Sequence, residues 1–165
     1  MRPALLVIDV QQEFYKYGLV TAQSLKDAIE YINAAIDLFR KKQLPIICIQ
    51  HMDEDEGPMP GTPGFELPTE LNILPTDVHI HKTYGNSFNK TGLIDVLRER
   101  GVDTVIITGF CAEYCVLSTC RGAPDVDLTP ILLRGALAST IPDNIPFIES
   151  INNIISYSAL KKVLE

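Results

Sequence analysis

The chain has 165 residues, of which 46% are hydrophobic and 21% are charged, and its formal net charge is −7 at pH 7. These values indicate one soluble, globular domain over residues 1–165 with a sizeable core. The acidic balance without a basic stripe argues against binding to nucleic acid, and no run approaches the roughly 20 apolar residues that cross a membrane.

The first half of the chain alternates apolar strands with a helix. Residues 3–10 form an almost unbroken apolar run, which is typical of a buried strand in a parallel sheet. Residues 22–42 repeat apolar side chains at the spacing of one helix face. A second strand is predicted at 45–50, a long Pro/Gly-rich loop at 53–70 and a third strand at 78–82.

The second half repeats the alternation. It predicts a helix at 91–101, a strand at 103–109, a helix at 113–122, a strand at 128–135, and a weak sixth strand at 154–157 between helices 145–153 and 158–165. Such a pattern predicts a three-layer α/β/α sandwich of Rossmann-like type, with a central, mostly parallel, six-stranded sheet. No glycine-rich dinucleotide or P-loop motif follows a strand.

Polar side chains stand at the carboxyl ends of the predicted strands. Open parallel sheets bind their ligands at this edge, so a carboxylate, an ammonium group and a thiol are expected to converge there. In chain order the candidates are Asp9, Gln50, His51, Lys82, Cys111, Cys115 and Arg134. Taken alone, Asp9 is equally consistent with a structural carboxylate, and Lys82 with a solvated lysine.

Three of the four cysteines lie in "TGFCAEYCVLSTCRGA" at 108–123, with spacings that do not fit a structural zinc site. Cys48, in an apolar strand, and Cys120, on another face of the predicted helix, are interpreted as packing residues. Cys115 falls near the start of that helix, where the helix dipole and the Lys82 ammonium are expected to lower its pKa. Asp9 could accept its proton.

These motifs resemble the isochorismatase-like cysteine hydrolases, which include nicotinamidases and N-carbamoylsarcosine amidohydrolase. "DVQQEF" at 9–14 matches the family pattern D-x-Q-x-x-F, and "KTYGNSF" at 82–88 matches the lysine segment that follows the third strand. "TGFCAEYCV" at 108–116 resembles T-G-x-x-T-x-x-C-V except at Ala112, and "GTPGFEL" at 61–67 matches a G-T-x-G-x-E loop. The resemblance spans nearly the whole chain.

The resemblance implies roles for individual residues. Asp9 would be the general base and acid, Lys82 the cation and Cys115 the nucleophile. It also implies a cis peptide at Phe110–Cys111 and an oxyanion hole made by the backbone N–H groups of Cys111 and Cys115. We place the substrate pocket at Phe14, His51, Tyr84, Phe88 and Phe110.

Several positions depart from the family pattern. Ala112 replaces a threonine, Tyr84 and Asn86 replace an arginine and a serine, and Arg134 stands where an aspartate commonly follows the fifth strand. The D-x-H metal motif of nicotinamidases is missing, and the acids at 53–56 are interpreted as solvated. We therefore expect no cofactor and no metal; a two-histidine metal site on the third strand is the weaker alternative.

The expected activity is hydrolysis of a small amide, carbamoyl or ureido C–N bond through an acyl-enzyme on Cys115. The alternatives are hydrolysis without a covalent intermediate and a non-catalytic, redox-responsive or scaffold protein that keeps a relict triad. The expected partners are a small-molecule substrate and further copies of the chain, because the family commonly forms dimers or higher oligomers. The start of the chain shows no signal-peptide cleavage site, which predicts a cytoplasmic protein.

Overall fold

Six parallel strands form a single sheet in the computed structural model, which describes residues 1–165. Their spatial order is β3-β2-β1-β4-β5-β6. This sheet confirms the predicted α/β class. The strands are β1 (Pro3–Ile8), β2 (Ile46–His51), β3 (Val78–Lys82), β4 (Thr104–Phe110), β5 (Thr129–Ala138) and β6 (Ile154–Ile155).

Helices cover both faces of the sheet. Alternate residues of β1 point to opposite faces, so Leu5 and Val7 pack with α2 and α6 while Leu6 and Ile8 pack with α3 and α4. Although α2 is 23 residues long, no helix combines the length and apolarity needed to cross a bilayer. The helices are α1 (Gln12–Tyr15), α2 (Leu19–Lys41), α3 (Leu93–Glu99), α4 (Leu117–Gly122), α5 (Ile145–Ser150) and α6 (Tyr157–Val163).

The strand order reverses between β1 and β4, and this is where open parallel sheets form a ligand crevice. The two strands are in register from Pro3 opposite Thr104 to Ile8 opposite Gly109. Gly109 has a φ of +116°, and a Cβ there would overlap the carbonyl oxygen of Ile8. Glycine therefore lets the end of β4 approach the end of β1 closely.

The fifth strand is longer than the sequence predicts. β5 continues through Arg134 and Gly135 to Ala138, with a register shift against β4 in this region. Arg134 is exposed in mid-strand and does not close the strand, so its predicted place at the binding edge is wrong. The glycine after it has a φ of +84°, typical of a bulge rather than a strand end.

Candidate active site

Asp9 and Lys82 form a buried ion pair at the carboxyl edge of the sheet. Lys82 ends β3, Asp9 follows β1, and 2.9 Å separates Lys82 Nζ from Asp9 Oδ2. Each residue is only 1% exposed. Lys82 also donates to the carbonyl oxygen of Tyr84 at 3.1 Å and contacts His51 Nδ1 at 3.2 Å. Because an ammonium group can only donate, His51 Nδ1 accepts, and a neutral ring carries its proton on Nε2.

Gln11 fixes the loop that carries Asp9. Its side-chain oxygen accepts from the backbone N–H of His51 at 2.8 Å, and its amide donates to the carbonyl oxygens of His51 and Phe65. These bonds join the end of β1, the end of β2 and the long loop. Asp9 itself has a φ of +53°, in the left-handed region that non-glycine residues seldom adopt. Such conformations persist where surrounding contacts hold them, and they cluster at functional sites.

Cys115 brings a thiol to this pair. It lies in a π-helical turn, Ala112–Val116, that joins β4 to α4. A carboxylate oxygen of Asp9, a ring nitrogen of His51 and Cys115 Sγ all lie within 4.8 Å of one another. Asp9 Oδ1 is buried and has no hydrogen-bond partner, so one oxygen of the carboxylate is held by Lys82 while the other is free to accept a proton.

The thiol is protonated at rest, which corrects the expectation of a lowered pKa. Burial raises the pKa of Cys115 to about 12, and the Asp9 charge adds to this more than the Lys82 charge opposes it. Burial likewise raises the pKa of Asp9, with Lys82 opposing. Burial and Lys82 lower the pKa of His51. The site thus holds a neutral thiol beside a carboxylate with raised proton affinity, which suits proton transfer during attack rather than a stored thiolate.

A cavity of about 340 Å³ opens above the thiol. Of the five predicted pocket residues, Phe14, His51 and Phe110 line it. Tyr84 does not; it is 42% exposed and its hydroxyl accepts from Lys90. Phe88 packs instead against the core on the α3 and α4 side of the sheet. Sequence reasoning missed seven further lining residues, which are Tyr17, Asp53, Glu56, Gly57, Pro58, Tyr114 and Thr140.

The other three cysteines have surroundings that differ from those of Cys115. Cys48 is buried inside β2, and Cys120 is buried in α4 with its sulfur 3.5 Å from Asn152 Oδ1, at the edge of a different cavity. Cys111 lines the site, and the peptide bond between Phe110 and Cys111 is cis, at the position expected from the resemblance.

Glu113 and Ser139 tie the Cys115 loop to the end of β5. The Ser139 hydroxyl lies 2.8 Å from both carboxylate oxygens of Glu113, accepts from the Ile141 N–H and contacts Cys111 Sγ at 3.8 Å. Asn144 donates to Glu113 as well. This cluster was not predictable from the sequence, because the fifth strand was expected to end before Ser139.

Replacing Ser139 with alanine is expected to lower turnover about ten-fold with little change in KM. The substitution leaves the Glu113 carboxylate with one fewer donor, and a hydrogen bond to a charged group contributes about 1.5–3 kcal/mol, so the Cys115 loop should lose its fixed position. Steady-state kinetics against Ser150→Ala, which removes an exposed hydroxyl bond to Phe147, provides the control. A rise in KM alone would contradict a positioning role.

The site does not fit a divalent metal. Asp9, His51 and Cys115 are the only group whose ligand atoms lie close enough together to hold one. However, the Lys82 ammonium already contacts Asp9 Oδ2 and His51 Nδ1, and a dication at the same point would be strongly repelled. His79 and His81 lie exposed on β3; His79 bonds the Leu74 carbonyl and His81 packs edge-on against Phe65. No step is therefore assigned to a metal.

A polar cluster and a cavity at the switch point of a parallel α/β sheet lie where proteins of this class bind their ligands. Residues 3–146 match the model of the isochorismatase domain, so the chain belongs to the isochorismatase family, which is a family of hydrolases.

Three relatives illustrate the range of similarity. Streptothricin hydrolase of Streptomyces noursei is 31% identical over 124 residues, which are 73% of this chain and 48% of that protein. The crystal structure of N-carbamoylsarcosine amidase from Thermoplasma acidophilum has a TM-score of 0.81 and 25% identity, covering 95% of this chain and 97% of the other. An isochorismatase-like hydrolase from Alkaliphilus metalliredigens has a TM-score of 0.90 at 22% identity, with full coverage of both chains, which shows the shared fold.

Proposed function

We propose that the protein is a cysteine-dependent amidohydrolase that cleaves a small amide, carbamoyl or ureido C–N bond. The observation that carries the proposal is the buried Asp9 carboxylate within 4.8 Å of the Cys115 sulfur, with Lys82 holding its Oδ2 and no hydrogen-bond partner on its Oδ1. A nucleophile, a base and an orienting cation are the parts of covalent hydrolysis. The similarity to N-carbamoylsarcosine amidase supports this reaction class, and the similarity to streptothricin hydrolase supports hydrolysis.

In the first half of the reaction, Cys115 Sγ attacks the carbonyl carbon as its proton passes to Asp9. Because its pKa is raised, the Asp9 carboxyl group can hold this proton, while the Lys82 ammonium group keeps the carboxyl group in position. The backbone N–H groups of Cys111 and Cys115 donate to the oxyanion. Collapse of the tetrahedral adduct breaks the C–N bond, and the departing nitrogen takes the proton from Asp9. An amine or ammonia leaves, and a thioester remains on Cys115.

In the second half, Asp9 removes a proton from water as the water oxygen attacks the thioester carbon. The C–S bond then breaks, Cys115 leaves as a thiolate, and Asp9 returns the proton to it. The sum is amide plus water giving a carboxylic or carbamic acid plus an amine. No oxidant, reductant or second substrate is needed, and the free oxygen of Asp9 serves as base and acid in turn.

Rapid-quench mass spectrometry tests this mechanism. A panel of small amides, carbamoyl compounds and ureido compounds is expected to include one that releases amine while adding its acyl mass to the peptide that contains Cys115. Treatment with a strong chelator should leave both signals unchanged. Amine release without an adduct, including with an aldehyde analogue, would favour non-covalent hydrolysis. If Cys115 forms reversible disulfides but no acyl adduct, and no amine is released, the hypothesis of a non-catalytic protein would be favoured.

A further inference from the structure

The mouth of the cavity carries negative charge that the hydrolytic mechanism does not use. Asp53 and Glu56 line it, and no lysine or arginine does. The charge of Asp9 at the floor is balanced by Lys82. Asp53 is half-buried, and its charge is close enough to raise the pKa of His51 against the larger effect of burial. The cavity therefore presents two uncompensated carboxylates to whatever enters it.

Aromatic rings line the same cavity. The rings of Phe14 and Phe110 lie 4.7 Å apart between centroids, and Tyr17 packs edge-on against Phe14 at 5.6 Å. Tyr17 and Tyr114 are 57% and 66% exposed, so their rings are accessible from solvent. Aromatic faces attract ammonium and guanidinium groups, and carboxylates near them strengthen this preference.

The floor of the cavity provides a separate sign that a ligand belongs there. Asp9 Oδ1 is buried and has no hydrogen-bond partner, although a buried polar atom normally has one. It lies in the cavity lining beside Cys115. The cavity thus joins a reactive floor to an acidic, aromatic mouth, so one molecule could reach both.

We propose that the substrate carries a positively charged amine or guanidine group, held at Asp53, Glu56 and the tyrosines while its scissile carbonyl lies at Cys115. This proposal rests on the proposed hydrolytic function and names the substrate class of that site. An anionic substrate would meet carboxylates without a basic residue to receive it. A neutral substrate would leave both carboxylates without a role.

The first test compares amides that differ only in the remote group. A homologous series of ω-amino amides is assayed for ammonia release beside methyl-terminated and carboxylate-terminated counterparts. Two exposed ion pairs of ordinary strength predict that the cationic amide is favoured about ten-fold in kcat/KM at low ionic strength. Added salt should reduce this ratio. Equal or faster hydrolysis of the neutral or anionic amides would overturn the proposal while leaving the hydrolytic function intact.

The acidic loop supplies a matched control for the effect of the protein's overall negative charge. Asp53→Asn with Glu56→Gln should remove most of the ten-fold ratio. Glu54→Gln with Asp55→Asn removes the same charge from the same loop, at exposed residues that do not line the cavity, and should leave the ratio nearly unchanged. An equal loss of the ratio in both double variants would assign it to the overall charge of −7 rather than to the cavity, and would refute the proposal.

A second readout does not depend on turnover. Methanethiosulfonate reagents that carry a trimethylammonium, a neutral or a sulfonate group are reacted with the protein, and labelling of Cys115 is followed by mass spectrometry. Each rate is divided by the rate for a small free thiol. The cationic reagent should be favoured in the wild type and lose this advantage only in Asp53→Asn with Glu56→Gln. If this labelling pattern is found but no amide is hydrolysed, the cation site would be supported and the proposed hydrolytic function would be rejected. A normalised cationic rate no higher than the neutral rate would reject the site.

Discussion

Replacing Cys115 with alanine is expected to lower turnover by about 10⁴-fold or more, because loss of a covalent nucleophile removes a whole reaction route. The Cys115 thiol lines the cavity, and its sulfur lies within 4.8 Å of a carboxylate oxygen of Asp9. Steady-state rates and the covalent adduct should disappear together. Because the side chain is small and half-buried, the melting temperature should change little.

Cys120→Ala is the matched control for this result. Cys120 belongs to the same segment but is buried in α4 and faces Asn152. This variant should keep most of the turnover. An equal loss in both variants, with both proteins folded, would remove Cys115 from its role. Retained turnover in Cys115→Ala would require hydrolysis by water alone, with Asp9 as its base.

Lys82→Met and Asp9→Asn are each expected to lower turnover by about 10³-fold or more, yet to change alkylation of Cys115 in opposite directions. Lys82 lowers the pKa of Cys115 and Asp9 raises it. With a thiol pKa of about 12, only a very small fraction of the thiol is ionised at pH 7, so the alkylation rate follows the thiolate fraction. Without Lys82 that fraction falls and the rate at a given pH decreases. Without the Asp9 charge it rises and the rate increases.

Iodoacetamide rates measured across pH give this comparison directly. The wild-type rate should climb with pH through the neutral range without a plateau, and the two variant profiles should be displaced to opposite sides of it. This differs from the view that both residues simply favour the thiolate. Profiles that coincide with the wild type would show that neither charge acts on Cys115.

The stability of these variants needs its own control. Lys82→Met leaves the Asp9 carboxylate buried without its partner, which typically costs about 3–5 kcal/mol of folding free energy. The double variant Asp9→Asn with Lys82→Met removes both charges and should be more stable than Lys82→Met alone. If the double variant is folded and still inactive, the loss of turnover belongs to the chemistry rather than to unfolding.

The strand ends were the most predictable part of the site. Asp9 follows an apolar strand and Lys82 ends another strand, and parallel strands bring their carboxyl ends to one edge, so the sequence pattern predicted their proximity. The end of β5 was misplaced because Gly135 looks like a strand terminator, although a bulge carries the strand on to Ala138. Because the strand end was misplaced, the sequence-based prediction also missed Ser139 and its contact with Glu113.

Loop geometry and burial were not predictable. A run of four acids normally indicates a solvated segment, and only the path of the loop shows that Asp53 and Glu56 reach the cavity while their neighbours do not. The prediction of a lowered pKa for Cys115 was wrong for a related reason. A helix start and a nearby lysine favour a thiolate, but the amount of burial around the sulfur, which dominates, depends on packing across the whole sheet.

The position of β1 in the sheet also affects how the chain folds during its synthesis. Its partner β4 is out of reach until the ribosome has added about a hundred further residues, since Pro3 pairs with Thr104. At about 5–20 residues per second, this takes roughly 5–20 s. Throughout that time β1, whose six residues PALLVI carry no charge, has an open edge. The nascent chain therefore leaves an uncharged, apolar strand with an open edge for the longest time, and we expect a chaperone to bind there.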